Sequence, residues 1–191
     1  PLDLPARLRE MGEKLGTSYV EKSGGRIQIA IEPLTRTAKR VREVFSNADG
    51  SIQYVELFTT SDFQTAVSGH TITGNSDGTI VTFTFPSGLS GSTTNKSLLI
   101  ATPGFANISG AVTPDYVLPC GPFFQAGATS ITITFPSADA ITFAGSALPV
   151  DGTNSLTDTN LGGAQSLASS AASPTNFAGA VGSLALAACE I

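Results

Sequence analysis

The sequence predicts an all-β fold, a sandwich or barrel of short strands, preceded by a charged arm. From Val41 onward, short runs of alternating apolar and polar residues recur, the period-two signature of strands. Turn signals separate them, at "SNADGS", "GNSDG", "PSGLSGSTTN", "TPG", "PCGP", "QAGA" and "PVDG". Many short strands with regular punctuation read as a sandwich or barrel. No helix-length periodic pattern interrupts them, which argues against a parallel α/β sheet.

The arm, residues 1–40, comes first. Asp3 is a good helix cap and Pro5 sits in the first turn, where proline is tolerated. Leu4, Leu8, Met11 and Leu15 follow at helical spacing before Gly16, so an amphipathic helix is expected over about residues 4–15. Its single apolar stripe needs a surface, on its own body or on a neighbouring subunit. In "RIQIAIE", Ile27, Ile29 and Ile31 alternate with Gln28, Ala30 and Glu32, predicting a strand over about residues 26–32. Gly24-Gly25 frees its start, Pro33 ends it, and "PLTRTAKR" follows as a basic linker.

The body, residues 41–191, opens with strands at Val41–Phe45 and Ile52–Phe58, joined through Asp49-Gly50, whose left-handed geometry suits a tight connection. Further strands are expected at His70–Thr73, Thr79–Phe85, Ser97–Thr102, Tyr116–Leu118, Ser130–Phe135 and Ala140–Phe143. "TIVTFTFPS" and "SITITFPS" resemble one another. In the first, Val81, Phe83 and Phe85 share one face, and Ile80, Thr82 and Thr84 the other. In the second, Ile131, Ile133 and Phe135 are apolar and Thr132 and Thr134 lie opposite. Each has one core face and one threonine face, as a two-layer sandwich requires. Pro86 and Pro136 close them, because proline cannot donate to the ladder. Two copies with different flanks make a shared strand exit, not a solenoid repeat. From about residue 160 an Ala/Gly/Ser-rich tail reads as a loop covering the body, ending in the apolar segment Leu184–Cys189.

Composition bounds the function. Charged residues are 13% of 191, about half the usual share, and Thr, Ser, Gly and Ala fill the difference, as in secreted β-proteins. Nine of the ten basic residues lie between Arg7 and Arg42, so residues 1–43 carry a net +3 and the remainder −8. The overall −5 offers no general attraction to nucleic acid or an acidic membrane surface. No apolar run reaches transmembrane length, so membrane insertion is not expected. The expected location is extracellular or at the cell surface, as a mature form after export, since the chain starts at Pro1 without Met. Cys120 and Cys189 are the only cysteines. They are read as one disulfide, closing a loop worth roughly 4 kcal/mol; buried free thiols and pairing between subunits are the alternatives.

At "EVFSNADGSIQYVELF" the chain resembles a bacterial lamin-tail-type domain. The matching elements are Glu43-Val44 with Asn47, then Tyr54-Val55-Glu56-Leu57, then Gly69-His70-Thr71-Ile72. Phe83-Thr84-Phe85-Pro86, Leu98–Ala101, Asn154-Ser155-Leu156 and Ser173-Pro174-Thr175-Asn176 follow in the family's order, over roughly residues 41–177. The resemblance implies an immunoglobulin-like β-sandwich of an exported protein that binds or scaffolds. The chain departs from the family pattern at His70, where an aromatic is usual, and at Thr157, where an arginine is common; the arm is not covered.

Candidates for chemistry are few. His70 is the only histidine; a Ser-His-Asp site would need it, but no nucleophile elbow surrounds any serine, and a structural role at a strand start is expected. One histidine and two cysteines do not make a usual zinc centre. Glu56 faces opposite to Val55 and Leu57 and, if buried, must be hydrogen-bonded, with backbone N–H groups of an adjoining loop as expected donors. Asp151, Asn154 and Asp158 offer oxygens at loop-like spacing and form a weak calcium candidate; turn capping is the competing reading. Threonine rows suit exposed strand faces in general, and the absence of Trp argues against a sugar platform.

No catalytic residue and no cofactor are therefore expected. The expected function is that of a non-enzymatic exported structural protein. Its partner is itself, through a filament or layer built by adding the Ile27/Ile29/Ile31 strand to the next subunit's sheet. The alternative is a monomeric extracellular ligand-binding or adhesion module.

Overall fold

The computed structural model describes residues 18–22, 26–30, 39–135 and 139–186, the first two stretches by their backbone. The chain divides into two compact units, Pro1–Thr37 and Ala38–Ile191.

The first unit holds an antiparallel hairpin, β1 (Ser18–Lys22) and β2 (Arg26–Ala30), with Tyr19 opposite Ile29 and Glu21 opposite Ile27. The "RIQIAIE" strand is thus not isolated, as its sequence suggested; it is one half of a hairpin. The expected helix over residues 4–15 lies outside the described residues, as do Ile31 and Glu32.

The second unit is mostly β. Its strands are β3 (Arg40–Ser46), β4 (Gln53–Thr59), β5 (Thr71–Ser76), β6 (Thr79–Thr84), β7 (Lys96–Ala101), β8 (Tyr116–Val117), β9 (Ser130–Phe135), β10 (Asp139–Ala144), β11 (Asn154–Asp158) and β12 (Leu167–Ala171). They form a four-stranded sheet in the order β10-β9-β5-β6 and a six-stranded sheet in the order β12-β11-β3-β4-β7-β8. All pairs are antiparallel except β7 with β8.

The two sheets pack on one core. Val41, Val44, Val55, Leu57, Leu98 and Ile100 come from the larger sheet; Ile72, Ile131, Ile133, Phe135, Ile141 and Phe143 come from the smaller. Phe85, just past β6, stacks edge-on against Phe135 and Tyr116, at 5.7 and 5.1 Å between ring centres, a favoured aromatic geometry. The threonine faces point outward as the alternation predicts. On β6, Thr82, Thr84 and Ile80 are exposed, the last at 61%, while Val81 and Phe83 turn to the core. The β5–β6 turn is Asp77-Gly78 with φ of +49° and +94°, the left-handed pair that a two-residue hairpin needs.

The outer face of the larger sheet is also covered. Phe45, Tyr54, Leu99 and Ala101 form a second cluster beneath Phe105, Ile108, Ala172, Leu184 and Leu186. The Ala/Gly/Ser-rich tail supplies the last three. It is not all loop, because β12 takes its first part into the sheet. Cover on both sides explains why β4 and β7 are buried along nearly their whole length.

Gly74, in the middle of β5, shows how tightly the chain closes on itself. A Cβ there would lie 2.4 Å from the Phe123 carbonyl oxygen, a backbone atom that cannot step aside. Gly74→Ala is expected to cost about 2 kcal/mol or more, read as a lowered urea midpoint; an unchanged midpoint would refute the clash.

Candidate functional site

The polar groups with the most elaborate surroundings lie on the outer face of the six-stranded sheet. Glu43 on β3 and Glu56 on β4 are register partners, and both are essentially fully buried. Alternation from Val41 would send Glu43 inward. The register shift between Val41 and Glu43, a β-bulge, instead puts Glu43 on the face opposite Val44.

Each carboxylate is filled by donors. Glu43 Oε1 accepts the Ser155 hydroxyl at 2.6 Å, the Ser173 N–H at 2.9 Å and the Tyr54 hydroxyl. Its Oε2 accepts the Ser173 hydroxyl at 3.3 Å. Glu56 Oε1 accepts the Ser97 hydroxyl at 2.6 Å and lies 3.4 Å from Arg42 Nη1, while Oε2 accepts the Thr175 N–H at 2.8 Å. A third acid continues the series: Asp115 Oδ2 accepts the N–H of Phe177 at 2.9 Å and of Leu99 at 2.8 Å. Alternate amides of the tail, at Ser173, Thr175 and Phe177, therefore each donate to a carboxylate of the body. Asn176 adds its side-chain amide to the Thr113 carbonyl at 3.0 Å. The tail is fastened as a strap across the sheet.

Burial sets the electrostatics. It pushes the Glu56 carboxyl up to about 7, against the pull of Ser97, Thr175 and Arg42, and the Glu43 charge raises it further. Burial also raises Asp115, opposed by the amides of Leu99 and Phe177. The Tyr54 phenol is raised, first by burial and then by Glu43. With every oxygen occupied and no exposed surface, the pair is built to hold the strap rather than to meet a substrate.

Glu56 is thus buried and bonded to a backbone N–H, though the donor is 119 residues away rather than in an adjoining loop. His70 lies just before β5, with its ring 6.4 Å from that of Phe135. No serine hydroxyl or carboxylate among the described residues bonds to it.

Of the calcium candidates, Asp151 and Asn154 are brought together, hydrogen-bonded to each other, and Asp158 is not. Asp151 Oδ1 accepts the N–H groups of Thr153 and Asn154, and Oδ2 accepts the Asn154 side-chain amide at 2.6 Å. These bonds, that of Asn154 first, hold the Asp151 carboxyl down at about 2. Asp158 stands at the far end of β11, accepting the N–H groups of Asn160 and Ser166 and lying 3.5 Å from Arg40 Nη2. No group of three His, Cys, Asp or Glu among the described residues could hold a metal ion. Cys120 is exposed and unpaired, and its expected partner Cys189 lies outside the described residues.

Gln53 carries no sequence signal, yet it is completely buried. Its Oε1 accepts the Phe123 N–H at 2.7 Å and its Nε2 donates to the Phe124 carbonyl at 2.7 Å, clamping the loop that closes over Gly74. An open groove of about 590 Å³ lies between Ala126–Thr129 and Ala144–Val150; its walls are mostly small residues without a charged group. Comparison with family models, curated proteins and solved structures returns no match.

Proposed function

We propose that this chain is a non-enzymatic, exported structural protein with an immunoglobulin-like sandwich of the lamin-tail kind, which assembles with copies of itself through its N-terminal strand. The observation that carries this reading is the β1–β2 hairpin. It forms a two-stranded sheet of its own, in a unit separate from the sandwich. An isolated two-stranded hairpin is at best marginally stable in water and gains stability when a third strand or a packed face joins it. The charge distribution supports the same partner, since the unit Pro1–Thr37 nets +1 and the unit Ala38–Ile191 nets −6. Buried Glu43 and Glu56 support a structural rather than a catalytic role, because each accepts an amide of the strap.

The second reading is a monomeric ligand-binding or adhesion module. It is favoured by Phe63, which is 67% exposed at a φ of +59°, a strained placement of the kind that concentrates at binding loops.

Light scattering and negative-stain microscopy across a concentration series decide between them. The full chain is expected to grow in mass with concentration, and Ile29→Pro, which removes an amide donor from β2, is expected to stay at one-chain mass. A full chain that is monomeric throughout, or an Ile29→Pro variant that assembles unchanged, would overturn the assembly reading.

A further inference from the structure

We propose that the open edge of β6 is the acceptor, so that β2 of one copy adds to β6 of the next; this rests on the assembly reading above and names its second surface. The sandwich has four edge strands, β10, β6, β12 and β8, and they are not equivalent. Natural sheets blunt their edges with short strands, charges, prolines and bulges. β8 is two residues long. β10 begins with Asp139, whose Oδ2 accepts the Val41 N–H of the opposite sheet at 2.9 Å. β12 presents only alanines and serines after Leu167, so a strand added there buries little. β6 has none of these devices. It runs six residues, Thr79–Thr84, without charge or proline, in unbroken register with β5.

The phase of the β5–β6 ladder shows which β6 groups are available. Phe85 N–H donates to the His70 carbonyl at 2.9 Å. In an antiparallel pair the bonded positions recur every second residue. Phe83, Val81 and Thr79 therefore spend their backbone groups on Ile72, Gly74 and Ser76, while the N–H and C=O of Ile80, Thr82 and Thr84 point away from β5. That row matches the length of β2, Arg26–Ala30.

The same flank carries apolar surface. Tyr116 of β8 contacts the rings of Phe83 and Phe85, so the β6 and β8 edges run side by side. Ile80 and Val117, two of the four large exposed hydrophobics among the described residues, belong to these edges. Charge selects the occupant. Pairing β6 with another β6 would bring two bodies of −6 together, whereas the unit Pro1–Thr37, with six basic and five acidic residues, carries a net +1 and meets the opposite sign. Each copy then offers a donor strand and an acceptor edge on different surfaces, a heterologous contact that propagates rather than closing in a pair.

The test uses full-length variants. Thr82→Pro removes one outward N–H and leaves the β5–β6 bonds intact, an edge position where proline is tolerated. Ile80→Lys leaves the backbone unchanged and places a charge on the edge, covering the event that the proline variant fails to fold. Both are expected to remain at one-chain mass where the wild type grows. Thr82→Pro keeps its donor and Ile29→Pro keeps its acceptor, so mixing the two is expected to give a complex of twofold mass. If Thr82→Pro and Ile80→Lys assemble like wild type while Ile29→Pro does not, β6 is not the acceptor and assembly through the arm stands. If Ile29→Pro assembles as well, or the wild type never grows, the assembly reading fails and the β6 proposal with it.

Discussion

Glu43→Leu lowers the free energy of unfolding by about 3–5 kcal/mol, the cost typical of removing one member of a buried charged network. The leucine fills the space but accepts nothing. The Tyr54 and Ser155 hydroxyls and the Ser173 N–H lose their acceptor together, and each stranded buried donor costs roughly 1–3 kcal/mol. The sum is held down because hydroxyls rotate to other partners. Glu43→Gln keeps one carbonyl oxygen and is expected to cost less than half as much. Urea denaturation reads both. The midpoint should fall with the slope unchanged, since the surface exposed on unfolding stays the same. Hydrogen exchange gives the local counterpart: the Ser173, Thr175 and Phe177 amides should lose protection together in Glu43→Leu, because one strap carries all three. A leucine variant within about 1 kcal/mol of wild type would mean that the buried network is not what holds the tail.

The strands legible in the sequence are those whose alternation is carried by large side chains. β6 and β9 read correctly to the face, with Ile80 outward and Ile131 inward, because valine, isoleucine and phenylalanine mark the buried side and threonine the other. β11 and β12, "NSLTD" and "LASSA", have no such contrast. One carries a possible ion-ligand pattern and the other a linker composition, and only their pairing with β3 and with each other makes them strands. β1, "SYVEK", escapes for the same reason.

The polar site divides along a similar line. Glu56 is legible because it is the one acid in the apolar run "YVELF", on the face opposite Val55 and Leu57. Glu43 enters only as part of a resemblance, because a bulge reverses its face and a bulge leaves no mark in "RVREVF". The strap depends on contacts of 119 and 130 residues' separation, and no local pattern encodes that Ser173 and Thr175 are the donors a buried carboxylate requires.

Glu56 gives the fold a pH dependence whose direction is fixed. Its carboxyl titrates at about 7 in the folded chain against an ordinary value of 4.5. Between those values the folded state holds more protons than the unfolded, so stability falls as pH rises. The contribution is fully present below about 4.5 and is lost as pH passes through 7; at about 1.4 kcal/mol per pH unit it is on the order of 3 kcal/mol. Around Glu56, the Ser97 hydroxyl, the Thr175 N–H and Arg42 lower its value and Glu43 raises it. Asp115, also raised by burial, adds to the same slope from the acid side. Asp151, held at about 2, has the opposite sign and acts below the window. Lys39, lowered by burial to about 8, has its stabilisation above its ordinary value and loses it as pH falls through 8, so it opposes the decline only at the upper end of the range and equally in both proteins. Unfolding free energy measured from pH 5 to 8 should therefore decline, and Glu56→Gln should flatten the decline, because an amide mimics the neutral acid at every pH. The two proteins should differ least near pH 5 and most near pH 8, where the variant is the more stable. A Glu56→Gln variant with the wild-type slope would place the titrating group elsewhere and leave Glu56 ionised beside Arg42 throughout.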